Sequence, residues 1–168
     1  MLKKLFGNKQ EHKEVNVLTP ATGKYVDLRD VPDPTFSEKM MGDGFAVEPS
    51  EGKIVSPVQG KVVQVFPTKH AVGIKSEEGL DILVHIGLET VSMNGEGFTE
   101  HVKEGDKVNQ GDVLIEFSLE DVKSQAKSTV TPVVFTEGDQ IENITNKEVQ
   151  DVTAGETEMC TVTVVSKK

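Results

Sequence analysis

Residues 60–75 read GKVVQVFPTKHAVGIK. Valine and isoleucine recur on both sides of Pro67-Thr68-Lys69. β-Branched side chains fit a pleated, half-buried surface, and proline followed by polar residues makes a turn. Gly60–Phe66 and Ala71–Lys75 are therefore predicted as two short strands joined tightly. A third apolar run follows, Leu80-Asp81-Ile82-Leu83-Val84-His85-Ile86, and stops at Gly87. Working outward, Lys53–Ser56, Asp112–Phe117, Thr129–Phe135 and Met159–Val165 repeat the pattern between Gly, Pro, Asp and Asn. Gly105-Asp106 and Gly111-Asp112 mark further tight turns. Helical signals are brief. Ser118-Leu119-Glu120-Asp121 and Thr35-Phe36-Ser37-Glu38 each resemble a capping box, where a hydroxyl accepts from a backbone N–H one turn on. The expectation is an all-β chain, an antiparallel β-sandwich or squat barrel with one or two very short helices.

The chain has 168 residues, with 18 Lys+Arg against 28 Asp+Glu and a net charge of −10. One domain of this size can bury a core without disulfides or a structural metal. No apolar run approaches the ~20 residues that cross a bilayer. The acidity argues against nucleic acid, whose binding depends on Lys and Arg neutralising phosphates. Arg29 is the only arginine, so a bidentate phosphate clamp is missing. Cys160 is the only cysteine, which excludes an internal disulfide and a multi-cysteine zinc site. These features predict a cytoplasmic, monomeric protein.

Charge is unevenly distributed. Residues 1–13, MLKKLFGNKQEHK, carry four lysines and one glutamate, leaving −13 for the rest. Met1, Leu2, Leu5 and Phe6 make no sustained apolar core of the kind a secretory signal needs. The expectation is a flexible basic arm over residues 1–15, able at most to touch an anionic membrane surface weakly. Residues 16–168 then form the single domain.

Four histidines are present. His12 lies in the basic stretch and His101 in the charged stretch Glu100–Asp106, and both are read as solvated. His85 sits at the end of an apolar strand and His70 at the end of a turn, so neighbouring strands of a meander could bring the two rings together. Taken singly, each is best read as a core histidine bonded to a carbonyl. As a pair they allow two chemistries. Two neutral imidazoles plus a carboxylate could bind zinc. Alternatively, one imidazole attacks a phosphoryl group while the other supports the developing charge. There is no glycine-rich phosphate loop, no Gly-x-Ser-x-Gly elbow and no His-Glu-x-x-His helix.

At these residues a family resemblance becomes visible. Gly79-Leu80-Asp81-Ile82-Leu83-Val84-His85-Ile86-Gly87-Leu88-Glu89-Thr90-Val91 resembles the signature of the glucose-type IIA component of the bacterial phosphoenolpyruvate–sugar phosphotransferase system. Other family-like pieces follow in order, among them Asp30-Val31-Pro32-Asp33, Gly42-Asp43-Gly44, Ser56-Pro57-Val58-Gln59-Gly60, Thr68-Lys69-His70-Ala71 and Ala126-Lys127-Ser128. The resemblance implies a barrel-sandwich hybrid fold, built on a duplicated hybrid motif, with its core over about residues 34–138. It also implies a phosphotransferase that works through a phosphohistidine. His85 would accept the phosphoryl group through Nε2 from the histidine-containing phosphocarrier protein, with the carbonyl of Gly87 orienting the ring. His70 would help pass the group to a cysteine on a IIB domain of a sugar permease, and Thr68 would give hydrogen-bond support within this site. Phe36, Met40, Met41, Phe66, Leu83 and Val91 would form an apolar docking collar, with Asp33 and Glu89 as an acidic rim. For Leu83 and Val91, plain core packing competes with that role. Well-known members carry Asp where Glu89 stands and β-branched residues where Met40 and Met41 stand, differences that bear on partner preference. No cofactor would be required, though zinc could bridge His70, His85 and a partner's carboxylate.

Three rival readings differ in what they need. A zinc peptidase on a related fold needs a His-x-His pair, where this chain has His85-Ile86-Gly87. A biotinyl or lipoyl carrier needs a lysine in a hairpin, for which Glu38-Lys39-Met40-Met41 is the nearest match. A paralogue acting only through regulatory binding would keep the fold without the transfer.

Overall fold

The computed structural model describes residues 11–166. Its strands are β1 (Glu11–Leu18), β2 (Gly23–Val26), β3 (Asp43–Pro49), β4 (Lys53–Val55), β5 (Gly60–Val65), β6 (Ala71–Ser76) and β7 (Asp81–His85). These are followed by β8 (Phe98–Glu100), β9 (Lys107–Val108), β10 (Val113–Phe117), β11 (Thr131–Phe135), β12 (Ile141–Asn146), β13 (Asp151–Val152) and β14 (Glu158–Ser166). Two helices interrupt them, α1 (Pro34–Ser37) and α2 (Leu119–Gln125). The strands form one eight-stranded sheet in the order β13-β2-β3-β11-β7-β6-β5-β9. Two three-stranded sheets, β1-β14-β12 and β4-β10-β8, complete the molecule. Neighbouring strands run antiparallel, as expected for an all-β sandwich.

The β5–β6 hairpin and its partner β7 follow the apolar runs from which they were predicted. Val62, Val72, Ile74, Ile82 and Val84 project into a main core with Phe45, Leu114, Val133 and Phe135. A second, smaller cluster contains Leu28, Val31, Phe36, Ala46, Ala71, Leu83, Leu88, Val130 and Val134. Sheet residues point alternately to opposite faces, so β6 and β7 feed both clusters at once. Ala71 and Leu83 go to one, and Val72 and Val84 to the other.

Two local expectations change. Ser118 caps α2 as predicted, its Oγ accepting from the Asp121 N–H at 3.1 Å. At α1, however, the cap is Asp33, which accepts from the Thr35 N–H at 3.0 Å. Pro34 lacks an N–H and has a φ preset for the first helical position, so the helix begins there and Glu38 falls at its end. Residues 11–15, expected as part of the arm, are instead part of a strand. Glu11–Val15 belong to β1 and pair with β14, from Glu11 opposite Ser166 to Val15 opposite Val162. Val15 and Val17 are buried and need a partner strand to cover them. Residues 1–10, and with them the expected membrane contact, lie outside the described residues. Among the described residues, no helix is long and apolar enough to cross a membrane.

Candidate active site

The β6–β7 register sets the geometry. Ala71 stands opposite His85, and the Ile86 N–H donates to the His70 carbonyl at 2.7 Å. His70, one residue before β6, is thereby drawn alongside His85, the last residue of β7. The rings lie 4.9 Å apart between centroids, with their planes at 79°. His70 is only 4% exposed, while His85 is partly exposed. Phe36 packs against His85 at 5.1 Å, and Phe66 meets His70 edge-on at 5.6 Å.

Hydrogen bonds fix both rings on their Nδ1 side. His85 Nδ1 lies 2.8 Å from the Gly87 carbonyl oxygen. A carbonyl only accepts, so Nδ1 carries the proton and the Nε2 lone pair is free. His70 Nδ1 lies 2.5 Å from the Thr68 hydroxyl. Burial, and then the neighbouring His85, lower the His70 pKa to about 4. Burial also lowers the pKa of His85, opposed by the Gly87 carbonyl and the negative charge of Asp33. Both imidazoles are therefore neutral near pH 7, the form in which nitrogen is a nucleophile.

Backbone conformation brings the Gly87 carbonyl into place. Gly87 has φ +71°, a left-handed conformation, and a Cβ there would sit 2.7 Å from Thr90 Cγ2 and 2.9 Å from the Ser128 carbonyl oxygen. Only glycine fits without displacement. The Leu88 N–H donates to that Ser128 carbonyl at 2.9 Å. Fully buried Thr90 donates to the Ile86 carbonyl at 2.6 Å, and fully buried Thr131 accepts from the Gly87 N–H at 3.4 Å. Sequence reasoning missed these two threonines as site residues. Thr90 lies inside the quoted signature, but a hydroxyl in a polar turn has no sequence pattern that distinguishes it.

The expected collar divides. Phe36 and Leu83, 3% and 8% exposed, belong to the second core cluster, and Phe36 packs directly against His85. Phe36 is buried because α1 turns its ring inward against His85. Met41 and Phe66 are partly buried against the same cluster. Met40 and Val91, at 71% and 55%, are exposed. Val91 is therefore a surface residue and not core packing. Glu89 is exposed in a left-handed conformation, and Asp33 is half-buried with its carboxylate on the Thr35 N–H.

The rival readings find less support. Among the described residues, no group of three or more His, Cys, Asp or Glu side chains could hold a metal ion. Two imidazoles alone fall short of a tetrahedral zinc set. Lys39 follows α1 with its ammonium 3.3 Å from Asp43, in a helix-to-strand turn and not at the tip of a hairpin. A groove of about 600 Å³, lined by Thr22, Lys24, Glu48, Lys123 and their neighbours, includes neither His70 nor His85.

Comparison with known proteins gives a consistent result. The profile of the family described as "phosphoenolpyruvate-dependent sugar phosphotransferase system, EIIA 1" matches residues 15–141. A "PTS system glucose-specific EIIA component" of Halalkalibacterium halodurans is 56% identical over 171 aligned positions, covering 98% of this chain and 99% of that protein. A protein of the same name from Staphylococcus epidermidis is 52% identical over 165 positions, covering 98% and 99%. Among solved structures, the glucose permease IIA from Mycoplasma capricolum superposes with a TM-score of 0.83 at 38% identity, covering 89% of this chain and 96% of that one.

Proposed function

Because the chain belongs to the EIIA 1 family of the phosphoenolpyruvate-dependent sugar phosphotransferase system, we propose that it is a phosphocarrier whose acceptor atom is Nε2 of His85. Its donor is a phosphohistidine on the histidine-containing phosphocarrier protein, and its acceptor a cysteine on the IIB domain of a sugar permease. The names of its relatives point to glucose as the sugar served. The observation that carries this reading is the bond from His85 Nδ1 to the Gly87 carbonyl, which leaves Nε2 unprotonated on the partly exposed ring.

In the transfer, the Nε2 lone pair forms a new P–N bond while the donor's P–N bond breaks and its electron pair returns to the departing imidazole. The His85 ring gains formal positive charge because both nitrogens are now substituted. The Gly87 carbonyl, already aimed at Nδ1–H, stabilises that charge without reorganising. If the Thr68 hydroxyl donates to His70 Nδ1, the His70 proton rests on Nε2, from which it can donate to a phosphoryl oxygen. In-line geometry and charge stabilisation suffice for such a step, so no nucleotide pocket is required. Zinc, if it binds at His70 and His85, needs a partner's carboxylate to complete its ligands, and no step depends on it.

The test is labelling of the purified chain by phosphoenolpyruvate, enzyme I and the phosphocarrier. An acid-labile phosphate on His85 is expected, and H85A should take up none. Labelling of H85A at the wild-type rate would falsify the assignment. A stable covalent adduct on Lys39 would instead favour the biotinyl or lipoyl carrier.

A further inference from the structure

We propose that Thr90 and Thr131 are positioning residues that fix the tautomer of His85, acting through the Ile86–Gly87 peptide. The inference rests on His85 being the acceptor, and it starts from two consecutive peptide units.

In the first unit, the Ile86 carbonyl accepts from Thr90 Oγ1 at 2.6 Å, and the Gly87 N–H donates to Thr131 Oγ1 at 3.4 Å. In the second, the Leu88 N–H donates to the Ser128 carbonyl at 2.9 Å. Three of the four polar atoms in these units are therefore held by the protein interior. The fourth, the Gly87 oxygen, points at His85 Nδ1. Both threonines are fully buried, so water does not compete for their hydroxyls. Thr131 is itself anchored, donating to the Thr129 carbonyl at 3.0 Å. Thr90 acts twice, because its methyl group lies where a Cβ on Gly87 would collide. A glycine in a left-handed turn is otherwise free to rotate its carbonyl away. The two hydroxyls fix the peptide that enters Gly87, the Leu88 N–H fixes the one that leaves it, and a carbonyl held still between them is what keeps the proton on Nδ1 and the lone pair on Nε2.

The experiment uses the full-length, unphosphorylated chain and its T90V, T131V, T90S and T131S variants. Valine keeps the β-branched shape and removes the hydroxyl. Serine keeps the hydroxyl. The first readout is the ¹⁵N spectrum of the His85 ring near neutral pH, which reports which nitrogen carries the proton. Wild type should show one tautomer, protonated on Nδ1, whereas each valine variant should show a second. The second readout is the rate of phosphoryl uptake from the phosphocarrier. Each valine variant should lose about tenfold or more, the scale set by a small misplacement of a reacting group. T90S and T131S should recover most of that loss. If a valine variant does not fold, T90A or T131A takes its place.

Valine variants that keep the wild-type tautomer overturn the proposal, whatever their rate. So does a serine variant as defective as its valine counterpart. If even wild type takes up no phosphate, the acceptor reading fails, while the nitrogen spectrum still decides whether the threonines fix the tautomer.

Discussion

His70 is almost fully buried, whereas His85, 4.9 Å away between ring centroids, keeps part of its ring in solvent. The two imidazoles thus differ in access to solvent while standing in direct contact. On the proposed function, that difference should separate accepting a phosphoryl group, the role of His85, from passing it on, the role of His70. In H70Q the His85 Nε2 lone pair is untouched, so labelling by the phosphocarrier should persist. Onward transfer to a IIB domain should fall by about a hundredfold. The flexible glutamine amide, though a donor, does not hold its N–H in the fixed position of the imidazole's, and misplacing a group by about 1 Å costs on that scale. Single-turnover transfer from the labelled variant to purified IIB checks it. Normal onward transfer would remove the role proposed for His70.

Acid should destabilise the fold through the same ring. The His70 pKa falls from 6.5 to about 4 on folding because of burial and the nearby His85. Between those values the unfolded chain binds the extra proton, so stability rises with pH across the window and is lost as pH falls through it. Thermal melts of wild type should show Tm dropping as pH goes from 6.5 towards 4. H70Q should flatten that slope. An equally steep slope in H70Q would mean that other groups, such as His85 or the carboxylates, set the acid limit.

Much of this was legible in the sequence because strand formation here follows local chemistry. The alternation around Val62, Val72 and Val84 specifies which face is buried, and the turn at Pro67-Thr68-Lys69 delivers His70 to the start of β6. The histidine pair and the Gly87 carbonyl followed from those strands together with the family signature. What failed depended on side chains meeting across sequence. Thr131 is far from Gly87 in the chain, so no spacing rule joins them. Phe36 was placed in the collar by the family resemblance, and its burial against His85 follows only from the packing of α1. Residues 11–15 looked polar enough for a free arm, yet Val15 is buried, and its partner Val162 lies at the other end of the chain.

Gly87 should tolerate nothing larger. An alanine Cβ would meet Thr90 Cγ2 at 2.7 Å and the Ser128 carbonyl oxygen at 2.9 Å, in a backbone with φ +71°. The strain and the overlap together should cost about 1–3 kcal/mol in G87A. Relief of that strain would tilt the carbonyl away from His85 Nδ1. Urea denaturation gives the first quantity and the labelling rate the second, and both should fall. A variant as stable as wild type would show that the turn is softer than its contacts suggest.

The exposed pair Met40 and Val91 should matter for docking and not for folding. At 71% and 55% exposure neither contributes much to the core, so M40D and V91D should change stability by less than about 0.5 kcal/mol. The proposed rim of Asp33 and Glu89, in a chain of net charge −10, would suit a basic partner face. Added carboxylates would strengthen long-range steering yet interrupt the apolar contact that must dehydrate around the rings. The expected balance is a loss of about tenfold in kcat/KM for uptake from the phosphocarrier, equivalent to about 1.4 kcal/mol. The loss should appear as a raised KM with kcat nearly kept, because the groups that hold His85 are not touched. Steady-state labelling over a range of phosphocarrier concentrations separates the two constants. A fall in kcat alone would place these residues in the chemical step and sink the docking role.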